Sequence, residues 1–235
     1  MDSDIYANGT YLKHNPTWDA EQSEWKAAQI AALCRNNDLL PKTCIEVGCG
    51  AGRILTHLKS VWLNCTFDGF DPSADAIAMA NEQKVSGVNY HQGSPPTDLR
   101  AELVICADVF EHVEDYLGFL RSIRSIGNSF VFHIPLDMNL PSILFPSLLT
   151  KTRRLVGHLH NFDYESSIAT LEHCGYQIMD QQVTAGCLAF PNPGMFGSLL
   201  RYLRFVFFRF SPIAASRFLG GFSLMVVAHP IPRSG

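Results

Sequence analysis

Three glycines and an acidic residue are placed where they could hold a nucleoside. Residues 43–52, TCIEVGCGAG, read as a buried strand that runs into a turn containing Gly48, Gly50 and Gly52. Glycine lets the backbone bend sharply and approach a ligand closely. Asp71 ends the next strand-like segment, TFDGFD. Because the carboxyl ends of adjacent parallel strands meet over one crevice, Asp71 is expected to accept hydrogen bonds from both ribose hydroxyls.

The turn departs from the dinucleotide-binding pattern G-x-G-x-x-G in two places. The third glycine would fall at position 53, which is Arg53, and Glu46 stands just before the turn. A carboxylate would repel an anionic pyrophosphate, whereas it would attract the amino group and the sulfonium of S-adenosylmethionine. The charges therefore favour a cationic cofactor and disfavour an NAD-dependent oxidoreductase.

With these motifs the chain resembles the class I S-adenosylmethionine-dependent methyltransferases. Their first motif, E-x-G-x-G-x-G, is matched by residues 46–52, and LVICADVFEHVED at 103–115 looks like the corresponding segment of the ubiquinone-type small-molecule methyltransferases. The resemblance extends over roughly residues 40–185 and implies S-adenosylmethionine as cofactor. The cofactor-binding residues expected from it are Glu46, Gly48, Cys49, Gly50, Gly52, Asp71, Pro72, Ser94 and Asp108.

Ser94 is a departure from the family, which often has Asp near the adenine amino group after the third strand. A serine hydroxyl or a backbone group could accept the same hydrogen bond. The departure leaves room for a second class of function, a nucleoside-binding protein of the same fold that performs no catalysis.

Asp108 and His112 are the expected catalytic residues. They stand four residues apart after the fourth predicted strand, so a helical backbone there would project both side chains toward the crevice. A neutral imidazole could take a proton from an acceptor hydroxyl as the methyl group arrives. The alternative, that His112 only braces the loop, is equally compatible with the sequence.

The acceptor is expected to be a small molecule, methylated at oxygen. The chain lacks an Asn-Pro-Pro-Tyr type motif of the nucleic-acid amino methyltransferases. The carboxylates and amide near the expected site, Asp108, Asp137 and Asn139, do not match the metal-dependent catechol-type enzymes, so no metal is predicted. The sequence does not choose among quinone precursors, sugars and secondary metabolites.

Composition sets further limits. The 235 residues, 47% of them hydrophobic, suit one α/β domain with additions, and the net charge of −4 without a Lys/Arg run argues against a nucleic-acid partner. The seven cysteines form no C-x-x-C pair and are expected to be reduced. No signal pattern and no run of 18 apolar residues occurs, which predicts a cytoplasmic protein.

Strand-like and helical segments alternate along the chain. Strands are predicted at about 43–48, 65–70, 88–92, 102–107, 129–134, 176–186 and 222–229, and helices at about 19–35, 52–61, 74–84, 114–126 and 164–174. This order predicts a doubly wound, mostly parallel sheet with helices on both faces and ligands at the carboxyl ends of the strands. The family resemblance implies seven strands, the last antiparallel.

Three additions to this core are predicted. In the leader, residues 1–40, Tyr11, His14 and Trp18 could form a lid or pack on the sheet edge. An irregular insertion at 136–163 should bring His158, His160 and Phe162 toward the acceptor. A second insertion, 190–220, contains the run LLRYLRFVFFRF at 199–210. That run could lie on a membrane surface, cover the acceptor site or pair with a second subunit in a homodimer.

Overall fold

A computed structural model describes residues 20–190 and 195–232, which form one seven-stranded sheet flanked by helices. The order of strands across the sheet is β3-β2-β1-β4-β5-β7-β6. The strands are β1 Thr43–Val47, β2 Thr66–Asp71, β3 Val88–Gln92, β4 Ala101–Ala107, β5 Gly127–Pro135, β6 Tyr176–Thr184 and β7 Ser223–Pro230. The expected seven-stranded α/β fold is confirmed.

Strand direction follows the predicted pattern. The first five strands pair in parallel, and β7 runs antiparallel to both β5 and β6. Six of the seven residues of β4 are buried, as expected for a strand that is covered on both faces. The carboxyl ends of β1, β2, β4 and β5 therefore lie along one edge of the sheet.

Ten α-helices are described. They are α1 Ala20–Asn36, α2 Arg53–Val61, α3 Ala74–Asn81, α4 Tyr116–Ile123, α5 Leu140–Leu144, α6 Ser147–Val156, α7 Tyr164–His173, α8 Gly186–Ala189, α9 Met195–Phe210 and α10 Pro212–Leu219. Apolar residues of α1 and α2 pack on one face of the sheet, and those of α4 and α7 pack on the other. The doubly wound arrangement thus buries two separate apolar layers.

The insertion at 136–163 is more regular than predicted, because it contains α5 and α6. Asn139 forms a capping box with Ser142 at the start of α5, and Gly157 ends α6 in the left-handed conformation at φ 83°. The second insertion folds into α9 and α10. In the first insertion, the helix caps outweigh the prolines that suggested irregular structure.

Several predicted boundaries shift. The helix expected at 114–126 begins only at Tyr116, where the Asp115 side chain accepts a hydrogen bond from the Gly118 N–H, and short 3₁₀ turns precede and follow it. Helix α3 ends at Asn81. The leader residues Tyr11, His14 and Trp18 lie outside the described residues. Within the described ranges no helix is long and apolar enough to cross a membrane.

Candidate functional site

A crevice of about 470 Å³ opens at the carboxyl edge of the sheet, a size typical of sites for small ligands. The turn after β1 forms its floor. The predicted site residues that line the crevice are Glu46, Gly48, Cys49, Gly50, Asp71, Pro72, Asp108 and His112. The structure therefore brings both expected motifs, the glycine turn and the segment after β4, to one cavity.

The glycine turn has a left-handed backbone at all three glycines, with φ of 75° at Gly48, 50° at Gly50 and 74° at Gly52. A Cβ atom on Gly48 would lie 2.5 Å from Cγ2 of Val109, and one on Gly52 would lie 2.5 Å from the ring of Tyr90. The protein's own packing therefore demands glycine at these two positions. Gly52 caps α2 and does not line the crevice.

Asp71 joins the turn to the end of β2. Its Oδ2 accepts a hydrogen bond from the Gly50 N–H at 2.9 Å, and its Oδ1 accepts one from the Ser73 N–H at 2.9 Å. Burial raises the pKa of Asp71, while these two hydrogen bonds oppose the rise. Each carboxylate oxygen keeps a second lone pair, so Asp71 can still accept from a ligand hydroxyl.

Glu46 carries a buried carboxylate at the floor of the crevice. Its side chain is 1% exposed, and Oε2 has no hydrogen-bond partner among the described residues. Burial raises the pKa of Glu46 well above its ordinary value; the positive charge of Lys26 opposes this rise and Asp71 adds to it. A cationic group in the crevice would give this carboxylate the partner it lacks.

Asp108 stands at the centre of a polar network. Its Oδ1 lies 2.7 Å from Nδ1 of His133, its Oδ2 lies 2.6 Å from Nζ of Lys26, and Nε2 of His133 lies 3.0 Å from the Thr184 hydroxyl. Although burial pushes the pKa of Asp108 upward, His133 and Lys26 hold it well below its usual range. Asp108 is therefore a carboxylate at neutral pH.

The segment that contains Asp108 and His112 is not an α-helix, although both residues line the crevice. Asp108 has a left-handed backbone at φ 55°, and the next residues form only a 3₁₀ turn over Phe110–His112. The two side chains reach the crevice through a loop because the Asp108 N–H hydrogen-bonds the carbonyl oxygen of His133 at the end of β5.

His112 lies against a second histidine from the first insertion. Its ring centre is 4.8 Å from that of His158, whose Nδ1 hydrogen-bonds Oδ2 of Asp137. Burial and the neighbouring His158 lower the pKa of His112 to about 4, which a hydrogen bond to the backbone of Gly157 partly opposes. The imidazole is neutral at pH 7, but a group of such low basicity is a weak proton acceptor.

The other predicted residues reach the crevice only in part. His158 lines it, whereas His160 packs on Tyr116 and Phe162 is buried in the apolar core against Phe110. Ser94 is exposed in the loop after β3 and does not line the cavity. The adenine contact expected from Ser94 stays a prediction.

Sequence reasoning missed Lys26, Trp25 and His133, which all line the crevice. His133 lies near the carboxyl end of β5, so the rule that selected Asp71 could have selected it as well. Lys26 and Trp25 come from α1. No local pattern marks them, because their approach to Asp108 and His133 depends on how α1 packs against the sheet.

Comparison with known proteins places this site in a family. A family model described as a methyltransferase domain matches residues 20–178. The ubiquinone biosynthesis O-methyltransferase of Rickettsia bellii (strain OSU 85-389) is 34% identical over 92 residues, which cover 37% of this chain and 38% of that protein. The trans-aconitate 2-methyltransferase of Mycolicibacterium gilvum is 24% identical over 151 residues, 63% of this chain and 58% of that protein. The chain thus matches less than two thirds of each relative.

Solved structures show the same fold at low sequence identity. The plantazolicin methyltransferase BpumL in complex with SAH superposes with a TM-score of 0.58 at 14% identity, over 96% of this chain and 89% of that one. The N-methyltransferase NodS from Bradyrhizobium japonicum WM9, also in complex with SAH, gives a TM-score of 0.56 at 14% identity, over 87% and 85% of the two chains.

Proposed function

This chain belongs to the methyltransferase domain family, and from that premise we propose that it transfers a methyl group from S-adenosylmethionine to a hydroxyl of a small molecule. The observation that carries the proposal is the buried, unpartnered Oε2 of Glu46 on the floor of the crevice. An unpartnered buried carboxylate oxygen is costly, and a cationic cofactor would remove that cost. A pyrophosphate would increase it.

The residues present fit this cofactor. Glu46 would face its positive charge, Asp71 would accept from the ribose hydroxyls, and the left-handed turn at Gly50 would lie beside the nucleoside. Cys49 and Pro72 complete the wall next to the turn. When bound, S-adenosylmethionine supplies a methyl group on a good leaving group, so most of the catalysis falls to the orientation of the acceptor, which is worth roughly 7–11 kcal/mol.

The acceptor end of the crevice is formed by Asp108, His112 and His158. We place the reacting hydroxyl there because these polar side chains come from the segment after β4 and from the first insertion, whereas the glycine turn and β2 are assigned to the cofactor. His112 contacts the hydroxyl in this proposal. Its low pKa restricts it to hydrogen bonding in the neutral form, so it contributes less as a base than a histidine of ordinary pKa.

A more specific acceptor, one held in a lipid surface, is favoured by the helices beside the crevice. We name α5, α6, α9 and α10 the cap; α9 packs on α10, α10 contacts α5, and α6 follows α5. The cap exposes large apolar side chains, including Ile143 at 64% and Phe210 at 88%. Val156, the last residue of α6, lines the crevice.

The charge of the cap supports this refinement. Neither residues 138–162 nor residues 181–235 contain Asp or Glu, although the whole chain has a net charge of −4. The exposed cations of the cap are Lys151, Arg153, Arg154, Arg201, Arg209 and Arg217. Arg217 pairs with Glu165 across the edge of the cap, while the other five cations lie in segments without acidic residues. Apolar side chains among such cations suit the surface of an anionic bilayer. A quinone precursor or a lipid-linked glycan is the class of acceptor that would be reached there.

Calorimetry with S-adenosylmethionine and its demethylated product, followed by an acceptor screen, tests the function. We expect binding of both, weakened in Glu46→Gln, and transfer of the labelled methyl group to a hydroxylated acceptor. Binding without transfer to any acceptor would favour the non-catalytic nucleoside-binding protein instead. Binding of NADH in a fluorescence titration, without affinity for S-adenosylmethionine, would overturn the proposal.

A further inference from the structure

Behind the acceptor end of the crevice, Glu111, His112 and His158 converge. One oxygen of Glu111 and one ring nitrogen of each histidine lie within 4.8 Å of one another, and Nε2 of His112 is 3.9 Å from Oε1 of Glu111. Metal bonds of about 2.0–2.2 Å place two ligand atoms roughly 3–4 Å apart, so an ion would need only a small contraction of this cluster.

Glu111 supplies the observation that points to a ligand. It is 1% exposed, and neither of its carboxylate oxygens has a hydrogen-bond partner among the described residues. Buried carboxylates are normally paired, hydrogen-bonded or bound to a metal ion. The N–H groups of Leu159 and His160 bond the main-chain carbonyl of Glu111 rather than its side chain, so these two neighbours do not offset the cost.

Asp137 prepares His158 for the same role. The hydrogen bond from Nδ1 of His158 to Oδ2 of Asp137 fixes the tautomer and leaves the lone pair on Nε2. A carboxylate that orients a histidine in this way is the usual second partner of a metal-ligating imidazole. His112 and His158 also line the crevice, so an ion held by them would be open to a bound acceptor.

We propose that Glu111, His112 and His158 bind a divalent first-row transition-metal ion at the acceptor end of the crevice. Two imidazoles and one carboxylate with open positions suit Mn²⁺, Fe²⁺ or Zn²⁺. This proposal differs from the expectation from sequence that no metal is used. That expectation weighed Asp108, Asp137 and Asn139, whereas the ligands proposed here are Glu111, His112 and His158.

This part of the inference rests on the proposed function, for which the ion would define the class of acceptor. An acceptor with two adjacent oxygens, such as a catechol or a hydroxy acid, would chelate the ion through its open positions. The ion would acidify the reacting hydroxyl, and His112 would then hold the ion instead of contacting the hydroxyl itself. That hydroxyl releases its proton to solvent, its lone pair forms the new O–C bond with the methyl group, and the S–C bond breaks with its electron pair staying on sulfur.

The test is direct titration of the chelator-treated full-length protein with Mn²⁺ and Zn²⁺ by calorimetry, with Co²⁺ absorption spectra as a second readout. We expect one bound ion, a loss of affinity of at least about 100-fold in Glu111→Gln and His158→Ala, and a loss of about 10- to 100-fold in Asp137→Asn. Glu114→Gln and His160→Ala, matched changes outside the trio, should bind as the wild type does.

Equal ion affinity in wild type, Glu111→Gln and His158→Ala would overturn the inference, as would the absence of binding up to millimolar free ion. Because Glu111→Gln keeps the size of the side chain, it should fold, and thermal melting checks this. Ion binding without affinity for S-adenosylmethionine would remove the proposed function but leave the metal site. Affinity for S-adenosylmethionine without ion binding would remove the metal site alone.

Discussion

Asp71 accepts a hydrogen bond from the backbone N–H of Gly50 at 2.9 Å, which ties the end of β2 to the turn after β1. The same carboxylate accepts from the Ser73 N–H at the entry to α3. Asp71, which is expected to bind the ribose, therefore also stabilises the conformation of the glycine turn. Ligand binding and local folding share one side chain.

Asp71→Asn should weaken binding of S-adenosylmethionine by about 1–3 kcal/mol, because an amide offers one acceptor oxygen where the carboxylate offers two charged ones. Calorimetric titration measures the change. Asp75→Asn, on the exposed first turn of α3, is the matched control and should bind normally. An unaltered dissociation constant in Asp71→Asn would count against the ribose assignment.

Gly48→Ala should destabilise the fold by about 1–3 kcal/mol, since the new methyl group would collide with Val109 and the backbone there is left-handed. Urea denaturation gives the free energy of unfolding. Combining it with Val109→Ala should recover the part of the loss that is due to the collision, while the backbone part remains. Additive losses in the double variant would show that the two residues do not meet.

Asp108→Asn should lower the free energy of unfolding at pH 7 by about 1–3 kcal/mol. This loss is smaller than that expected for a fully buried ion pair, because the Asp108 side chain is 21% exposed. The folded pKa of Asp108 lies below its ordinary value of about 4, so its carboxylate stabilises the fold fully above that pH. The contribution is lost as the pH falls through the folded pKa.

The difference between wild type and Asp108→Asn should therefore be constant from pH 7 to about 5 and shrink below about 4. Denaturation curves at each pH measure it. Asp98→Asn, at an exposed position in the loop before β4, serves as the control. A difference that does not depend on pH would mean that Asp108 acts through shape and not through charge.

From the cations and the exposed apolar side chains of the cap, we expect the protein to bind lipid vesicles that contain phosphatidylglycerol. Binding to vesicles of phosphatidylcholine alone should be weaker. Each Lys or Arg near an anionic surface is worth about 1 kcal/mol. Lys151→Glu combined with Arg154→Glu should reduce co-sedimentation at least about tenfold, and salt should weaken it in the wild type. Phe145→Ser, at 62% exposure, tests the apolar part.

Lys84→Glu, at an exposed loop position outside the cap, is the control for the reversal of one charge and should bind vesicles as the wild type does. Equal binding to neutral and anionic vesicles, or none to either, would remove the lipid-surface refinement. Concentration-dependent dimerisation that the Phe145→Ser change abolishes would point to the homodimer instead.

The sheet and the cofactor end of the site could be predicted from short-range patterns in the sequence. The alternation of apolar strands and helices determines the doubly wound sheet, and the glycines, Glu46 and Asp71 mark its ligand edge, because each of these signals depends on a few neighbouring residues. The Ser73 cap of α3 was predictable for the same reason: its hydroxyl accepts from the Ala76 N–H three residues on.

Only the tertiary structure decided how distant side chains meet. Lys26 contacts Asp108 and His158 contacts His112 across long stretches of chain, and Ser94 is exposed and does not line the crevice. Such contacts depend on the packing angle of α1 and on the path of the first insertion, which are set by the sum of many weak apolar contacts. That is why the sequence predicted the cofactor edge, while the acceptor end with Glu111 emerged only from the fold.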